Sequence, residues 1–200
     1  MQSKNLTFVA MINVNVFVRK GRVEDAPAAA QLIVQAMEET ARRLVCTDDM
    51  SQVIKAFEYL YSQKNNLYSF ENIVVLECEG EVAGIITTYD GGRLKELKKL
   101  AFDYFAKFGF DGNMQDETQA GELYIDTLSV SAKHQGKGYG QLLINHILKE
   151  APHAGFSKVG LLVDVENPRA KKLYERLGFQ TVGKKMLFED HFEHMQYEVS

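Results

Sequence analysis

Three glycines at alternate positions are the first residues whose types and spacing indicate chemistry. The segment 135–140 reads Gln-Gly-Lys-Gly-Tyr-Gly. Glycine has no Cβ, so the chain can turn tightly and a ligand can approach its backbone. A helix follows directly, and the first N–H groups of a helix lack intrahelical partners and lie at the positive end of its dipole. The segment therefore predicts an anion site, most often for phosphate, to which Lys137 adds a cation.

The same spacing fits two other interpretations. One is a tight strand-to-helix turn that binds nothing, since short glycine motifs are frequent by chance. The other is a dinucleotide-binding unit, which uses G-x-G-x-x-G and an acidic residue about twenty residues later. Here the spacing is G-x-G-x-G, and although Asp164 follows the next predicted strand, no second β-α-β repeat is visible. The mismatch disfavours the dinucleotide interpretation.

The elements that must position this loop form a β-α-β unit. Residues 122–130 are typical of a strand, residues 141–150 have apolar positions at helical spacing, and residues 159–163 form a short apolar run. We expect the two strands to be parallel, with a right-handed crossover. Elsewhere the pattern predicts a helix starting at 23–27, a helix over 51–64 with Ser51 as its N-cap, and strands over 14–19, 72–78, 82–89, 179–183 and 195–199.

A second motif begins at Asn167, which with Pro168 starts a helix that Gly178 ends. Residues 167–179 fit N-x-x-A-x-x-L-Y-x-x-x-G-F, and Gln135, Gly138 and Gly140 fit R/Q-x-x-G-x-G/A. Over 122–183 the chain thus resembles the GNAT superfamily of N-acetyltransferases; over 14–89 only the element order agrees. The resemblance implies an α/β (α+β) fold. Its central twisted sheet is mostly antiparallel, with one parallel, splayed strand pair and helices on both faces.

The resemblance also implies acetyl-CoA as co-substrate, bound in the split of the sheet. Backbone amides of 135–140 would hold the diphosphate, and the freed edge of strand 122–130 would pair with the pantetheine amides as though they were another strand. The residues that we expect at this cofactor are Leu128, Ser129, Val130, Gln135, Gly136, Lys137, Gly138, Tyr139, Gly140, Asn167, Ala170 and Tyr174.

Acetylation of an amine needs a base and benefits from an acid. An alkylamine with a pKa near 10.4 must lose a proton, which costs about 4 to 5 kcal/mol at neutral pH, and the departing thiolate gains from a proton donor. Tyr174 occupies the family's general-acid position. Asp126 is our candidate base, acting directly or through a water. In a regular strand Tyr124 would point to the same face as Asp126. A β-bulge at this point would change which face each side chain points to. Neither cysteine lies near these motifs, so we expect direct transfer in a ternary complex.

The acceptor stays open. We expect a primary amine in a small molecule; the alternatives are a protein N-terminus or lysine, or a CoA-binding sensor or interaction module without turnover. Acidic residues at 189, 190 and 193 would attract a cationic acceptor, although a charged turn explains them equally well. His191 and His194 beside Glu193 look like metal ligands, but the sequence has no second ligand cluster, so we expect no metal.

Composition narrows the class of protein. The 200 residues are 46% hydrophobic with a net charge of −4, which suits one domain and disfavours nucleic-acid binding. Cys46 and Cys78 lack metal-site spacing and indicate a reducing compartment. No run is long enough for a transmembrane helix, and residues 6–18 read as a first strand rather than a signal peptide. We therefore expect a cytoplasmic protein that binds neither nucleic acid nor membrane.

Residues 93–121 exceed the hairpin turn that their flanking strands need, so we interpret them as an insertion. An amphipathic helix over 93–108, closed by Gly109, precedes an acidic loop over 111–121. Because the far end of strand 122–130 meets the glycine loop, we expect the insertion at the opposite, acceptor end. It would line the acceptor pocket or form a homodimer contact through Leu97, Tyr104 and Phe108.

Overall fold

The computed structural model describes residues 15–199, which form a seven-stranded sheet with helices on both faces. The strands are β1 (Val16–Lys20), β2 (Ile73–Cys78), β3 (Glu81–Asp90), β4 (Leu123–Val130), β5 (Lys158–Asp164), β6 (Gln180–Leu187) and β7 (Asp190–Glu198). The helices are α1 (Ala26–Ala36), α2 (Glu38–Val45), α3 (Met50–Ser62), α4 (Leu94–Phe105), α5 (Tyr139–Glu150) and α6 (Pro168–Arg176).

The sheet has the order β1-β2-β3-β4-β5-β7-β6. Within the described residues, β4 and β5 are parallel and the other neighbouring pairs are antiparallel. Parallel neighbours need a crossover connection, which α5 supplies here. The predicted fold class, a mostly antiparallel mixed sheet with one parallel pair, is confirmed.

Alternation along the strands divides the core into two layers. Ile85 and Ile86 are adjacent on β3, yet Ile85 packs in the cluster that holds α1 to α4, whereas Ile86 packs in the cluster that holds α5. Successive strand residues point to opposite faces, so one sheet serves both layers. Both layers meet at β4, where Tyr124 belongs to the first cluster and Ile125 to the second.

Helix α4 belongs to the first core layer. Leu97, Ala101 and Phe105 are buried, and the Phe105 ring centroid lies 5.6 Å from that of Phe57 and 6.2 Å from that of Tyr68. The apolar face of α4 is therefore used inside the chain. Of the three residues predicted for a homodimer contact, Leu97 is buried here whereas Tyr104 and Phe108 are half-buried, and the homodimer itself stays a prediction.

Several local predictions were wrong in their details. Helix α3 begins at Met50, and its N-cap is Asp49, whose Oδ1 accepts hydrogen bonds from the N–H groups of Ser51 and Gln52 at 2.9 and 3.4 Å. Met37 leaves the helical conformation at the end of α1, and α2, which the sequence analysis did not predict, follows it. The last strand begins at residue 190 rather than 195, which makes the final hairpin longer. The first strand begins at Val16, and residues 1–14 lie outside the described part of the chain.

Helix ends agree better with the predictions, because capping chemistry is local. The Asn167 Oδ1 atom accepts a hydrogen bond from the Ala170 N–H at 3.1 Å, as an N-cap residue should. Gly109 and Gly178 adopt φ values of +104° and +97° at the ends of their helical segments. None of the helices between residues 15 and 199 combines the length and the apolar character that crossing a membrane would require.

Candidate active site

Strands β4 and β5 separate at the centre of the sheet. Their parallel pairing covers three positions and ends at Ile125 and Leu161. Beyond this point the strands diverge, so residues 126–130 of β4 have no ladder partner on the β5 side. A cavity of about 500 Å³ opens in this split, lined by side chains of α1, α2, β4, β5, α6 and the β6–β7 hairpin.

A β-bulge places Asp126 at the start of the split. Thr87 on β3 pairs with Thr127, whereas the next residue, Thr88, pairs with Ile125, so Asp126 is the extra residue of β4. The sequence analysis placed Asp126 on a regular strand, whereas the structure has a bulge there. Tyr124 and Asp126 nevertheless both line the cavity, and Thr127, which follows the bulge, lines it as well.

Six of the residues predicted for the site line this one cavity. They come from two elements, β4 and α6 with its N-cap, and they are Tyr124, Asp126, Leu128, Asn167, Ala170 and Tyr174. Tyr174 is half-buried, and burial raises the pKa of its phenol to about 12. The phenol therefore stays protonated at neutral pH and can donate a hydrogen bond into the cavity. The Asn167 side-chain oxygen is already used in capping α6.

The glycine loop lies between the end of β4 and the start of α5. Gly136 and Gly138 adopt φ values of +77° and +80°, and a Cβ added at either would meet open space. Gly138 is the N-cap of α5, and it has no side chain to occupy the N–H groups of the first turn. Gln135 donates from Nε2 to the Val130 carbonyl at 3.2 Å and ties the loop to the strand. The exposed backbone, with exposed Lys137, can bind an anion.

Two of the residues predicted to bind the cofactor turn their side chains elsewhere. The Ser129 hydroxyl accepts a hydrogen bond from Gln35 of α1 at 2.9 Å. The Tyr139 side chain is buried, with its hydroxyl 3.6 Å from the Cys78 sulfur and its ring centroid 5.9 Å from that of His134. These two residues can therefore offer only backbone groups to a ligand, as can the three glycines at positions 136, 138 and 140.

Glu117 and Tyr89 are site residues that the sequence interpretation did not identify. Glu117 lines the cavity from the segment between α4 and β4, with 3% of its surface exposed. The Tyr89 hydroxyl donates to Glu117 Oε1 at 2.7 Å and lies 3.4 Å from Asp126 Oδ1. A phenol on β3 thus bridges two carboxylates. Glu117 lies in an acidic loop, where no spacing pattern in the sequence distinguishes it from its neighbours. Only its contacts with distant residues identify it as part of the site.

Burial shifts the pKa values of both carboxylates upward. Burial, reinforced by the charge of Asp126, raises the pKa of Glu117 to about 7, while Lys98 and the Tyr89 hydrogen bond oppose the shift. Burial also raises the pKa of Asp126, against hydrogen bonds from Thr127 and Tyr89. With its pKa at about 7, the Glu117 carboxyl can gain or lose a proton near neutral pH.

Every aspartate, glutamate, lysine or arginine among the described residues that line the cavity is acidic. Among the described residues that line it there is neither lysine nor arginine, whereas six are carboxylates: Glu38, Glu39, Glu117, Asp126, Asp164 and Asp190. Ion pairs to Arg42 and Arg43 from outside the cavity offset part of this charge. The remaining field favours a cationic ligand.

His194 of the last hairpin faces a carboxylate, whereas His191 is exposed. His194 Nε2 lies 2.9 Å from Glu122 Oε2, and Glu193 faces Lys171 at 2.6 Å. Glu122 is buried and also accepts one hydrogen bond from the Thr118 hydroxyl and one from the Gln196 side chain. Across residues 15–199, no group of three or more histidine, cysteine or acidic side chains is arranged to hold a metal.

Known proteins share both the sequence pattern and the fold. The Acetyltransferase (GNAT) family matches residues 33–179. Mycothiol acetyltransferase of Gordonia bronchialis is 41% identical over 71 residues, which cover 36% of this chain and 22% of that protein. Spermidine N(1)-acetyltransferase of Vibrio cholerae is 39% identical over 70 residues, which cover 34% of this chain and 39% of that protein. These matches thus span well under two thirds of either relative.

A solved structure extends the likeness to nearly the whole chain. The N-acetyltransferase from Staphylococcus aureus Mu50 superposes with a TM-score of 0.81 at 25% identity, over 90% of this chain and 100% of that one. The family match includes the glycine loop, the split between β4 and β5, and Tyr174. This chain belongs to the GNAT family of acetyltransferases.

Proposed function

We propose that the protein transfers an acetyl group from acetyl-CoA directly to a small cationic primary amine. The observation that carries this proposal is the cavity at the β4–β5 split, where a protonated phenol faces an acidic wall that has no basic side chain among the described lining residues. A cationic amine is attracted by such a wall, and an anionic acceptor is repelled.

The residues present fit acetyl-CoA. Gly136 and Gly138 leave room beside the exposed amides of the loop, which suits a diphosphate. The edge of β4 from 126 to 130 has no ladder partner on the β5 side and suits the pantetheine amides. This placement would direct the thioester along β4 towards the cavity that Asp126 and Tyr174 line.

The reaction then requires the ammonium to lose two protons and the departing thiolate to gain one. A carboxylate of the Asp126–Glu117 pair accepts the first proton from the bound ammonium, and the amine nitrogen attacks the thioester carbon. The carbon–sulfur bond breaks while the Tyr174 phenol, at the family's general-acid position, donates a hydrogen bond to the departing sulfur. The sulfur takes its proton from solvent, and the amide nitrogen loses its second proton to solvent. Both cysteines lie outside the cavity lining, so the chain offers no thiol there for an acetyl-cysteine intermediate.

We interpret residues 93–121 as an insertion within one domain that shapes the acceptor end of the site. Met114 and Glu117 reach the cavity from this segment, and the glycine loop lies at the other end of β4. The two curated relatives are named for different molecules, mycothiol and spermidine, so membership of the family does not by itself identify the acceptor. The free thiols Cys46 and Cys78 fit a reducing compartment such as the cytoplasm.

The test combines binding with turnover. CoA and acetyl-CoA, but not NAD, should raise the unfolding temperature, because a ligand that binds only the folded state stabilises it. Thiol release from acetyl-CoA should then be measured with polyamines, simple alkylamines, anionic amino compounds and peptides. We expect the fastest release with cationic small amines. Preference for peptides would favour protein acetylation, and binding of CoA without turnover of any amine would favour a CoA-binding module.

A further inference from the structure

The site holds two buried carboxylates, Glu117 and Asp126, bridged by the Tyr89 phenol, whereas the reaction requires a single base. The Tyr89 hydroxyl can donate one hydrogen bond, and its 2.7 Å distance to Glu117 Oε1 is much shorter than its 3.4 Å distance to Asp126 Oδ1. Tyr89 is 3% exposed and Glu117 is also 3% exposed, so this bond is shielded from water. The shorter bond fixes the Glu117 carboxylate at the cavity wall.

The two carboxylates differ in what their oxygens already do. Asp126 Oδ2 accepts a hydrogen bond from Thr127 at 2.7 Å, and Asp126 Oδ1 faces Tyr89. Glu117 Oε1 is bonded to Tyr89, but its second oxygen lies 4.0 Å from Lys98 Nζ, beyond hydrogen-bond distance. Glu117 therefore retains an oxygen that can accept a proton from a ligand.

The loop that carries Glu117 is anchored on both sides of this residue. Lys98 donates to the Gln115 carbonyl at 2.9 Å, and Gln115 Oε1 accepts from the Phe188 N–H at 2.9 Å. Lys185 donates to the Asp116 carbonyl at 3.2 Å. On the other side, Thr118 donates to Glu122 at 2.6 Å. These bonds join the loop to α4, the β6–β7 hairpin and the start of β4, so Glu117 is held in a defined position.

We propose that Glu117 is the catalytic base of this enzyme and that Asp126 holds the acceptor ammonium beside it. The inference rests on the proposed acetyl transfer. Glu117 takes one proton from the ammonium and becomes a neutral carboxylic acid; the amine lone pair then forms the bond to the thioester carbon. The carbon–sulfur bond then breaks while the Tyr174 phenol donates a hydrogen bond to the departing thiolate, which takes its proton from solvent. The amide nitrogen loses its second proton to solvent, and Glu117 returns to its carboxylate form by exchange with water.

The charged surroundings of Glu117 suit this role. Burial and the negative charges of Asp126 and Asp116 raise its pKa to about 7, and Lys98 with the Tyr89 hydrogen bond limits the rise. The phenols of Tyr68 and Tyr124 also face this region. Burial raises the pKa of both well above the usual value, so they stay neutral. A base with a pKa near the working pH combines an available ionised form with useful basicity.

The decisive variant is Glu117→Gln, which keeps the shape and removes the proton acceptor. With an alkylamine at pH 7, kcat/KM should fall by about 10²-fold or more, the usual scale of general base catalysis. A plot of wild-type kcat/KM against pH should rise through an apparent pKa near 7. In the variant this rise should be absent, and kcat/KM should instead increase with pH until the amine in solution is itself deprotonated. Asp111→Asn removes an exposed carboxylate of the same segment that neither lines the cavity nor shifts the pKa of Glu117, so it is the matched control and should stay within a few-fold of wild type.

Tyr89→Phe tests the bridge separately. Loss of a hydrogen bond that lowers the pKa of Glu117 should move the acid limb to higher pH, an effect that a purely structural role for Tyr89 would not produce.

An amine with a conjugate-acid pKa well below the assay pH needs no base. It should therefore be acetylated almost equally by wild type and by the Glu117→Gln variant.

The outcomes separate the two proposals. If wild type acetylates amines and Glu117→Gln keeps both its rate and its acid limb, the base is elsewhere and only this inference fails. If wild type acetylates no amine, the proposed function fails and this inference fails with it. A thermal shift with CoA on each variant establishes that the cofactor site is folded, so that a lost rate cannot be assigned to unfolding.

Discussion

Replacing Tyr174 by Phe isolates one hydroxyl group in the proposed reaction. The Tyr174 ring packs with its centroid 5.9 Å from that of Phe179, and this contact survives the change. We therefore expect little change in the free energy of unfolding or in the affinity for CoA. What disappears is the donor that faces the departing sulfur.

The magnitude follows from the pKa of that donor. Burial raises the pKa of Tyr174 to about 12, whereas an ordinary thiol has a pKa of about 8.5. Complete transfer of the proton to a free thiolate would thus be uphill by roughly 5 kcal/mol at about 1.4 kcal/mol per pKa unit. The phenol should instead act mainly through a hydrogen bond to the developing charge, worth about 1.5 to 3 kcal/mol. Losing it should slow acetyl transfer by about 10- to 150-fold.

The assay is a single-turnover measurement with enzyme in excess over acetyl-CoA, because product release can hide a chemical step. The KM for acetyl-CoA should stay nearly constant, since the lost interaction exists only in the transition state. Tyr197→Phe is the matched control: its ring also packs against Phe179, at 5.6 Å between centroids, and it is not among the residues that line the cavity. A wild-type single-turnover rate in the Tyr174 variant would refute the role of the phenol.

Further predictions concern binding, packing and pH. Gly138→Val should weaken CoA binding, measured by titration, by about tenfold or more, because the valine side chain fills the space beside the loop amides. Gly80→Val is the control: Gly80 has the same φ of +80° in the β2–β3 turn, so this change carries the same backbone strain and should leave the affinity for CoA unchanged. Equal losses in both would make the glycine loop a simple turn. Phe105→Ala should lower the free energy of unfolding by about 3 to 5 kcal/mol in urea, since the ring is fully buried. The pKa of Glu117 is raised to about 7 in the folded chain, so the folded state binds more protons than the unfolded state between roughly pH 4.3 and 7, and stability falls as pH rises through this window. Glu117→Gln should therefore become progressively more stable than wild type from pH 5 to 8, by roughly 3 kcal/mol; a pH-independent difference would contradict the shifted pKa.

The parts of the site that the sequence predicts are those that depend on local chemistry. The glycine loop, the Asn167 cap and the β-α-β unit follow from backbone freedom, capping and apolar periodicity, and all three are present. The N-cap of α3 was assigned to Ser51 because Ser, Asp and Asn are all good caps. Asp49, two residues earlier, holds that role, and local propensity does not separate the two residues.

The parts that the sequence did not predict depend on pairing between distant segments. The bulge at Asp126 is a property of the register between β3 and β4, since it appears only when Thr87 and Thr88 are matched to their partners. Glu117 reaches the site because bonds from Lys98, Lys185 and Phe188 hold its loop against the cavity. Such contacts join residues 17 or more positions apart, so no spacing rule marks them.

The most direct test of the proposed function is a crystal structure with a bisubstrate conjugate, in which an alkyl diamine is joined to the CoA sulfur through an acetyl-derived linker. We predict that the diphosphate will lie against the amides of residues 136–140 and the sulfur beside the Tyr174 hydroxyl. The reacting nitrogen should lie within hydrogen-bond distance of Glu117 or Asp126, with the second ammonium against the acidic wall. A conjugate whose amine portion lies outside the β4–β5 split, away from both carboxylates, would contradict the proposed site and its chemistry.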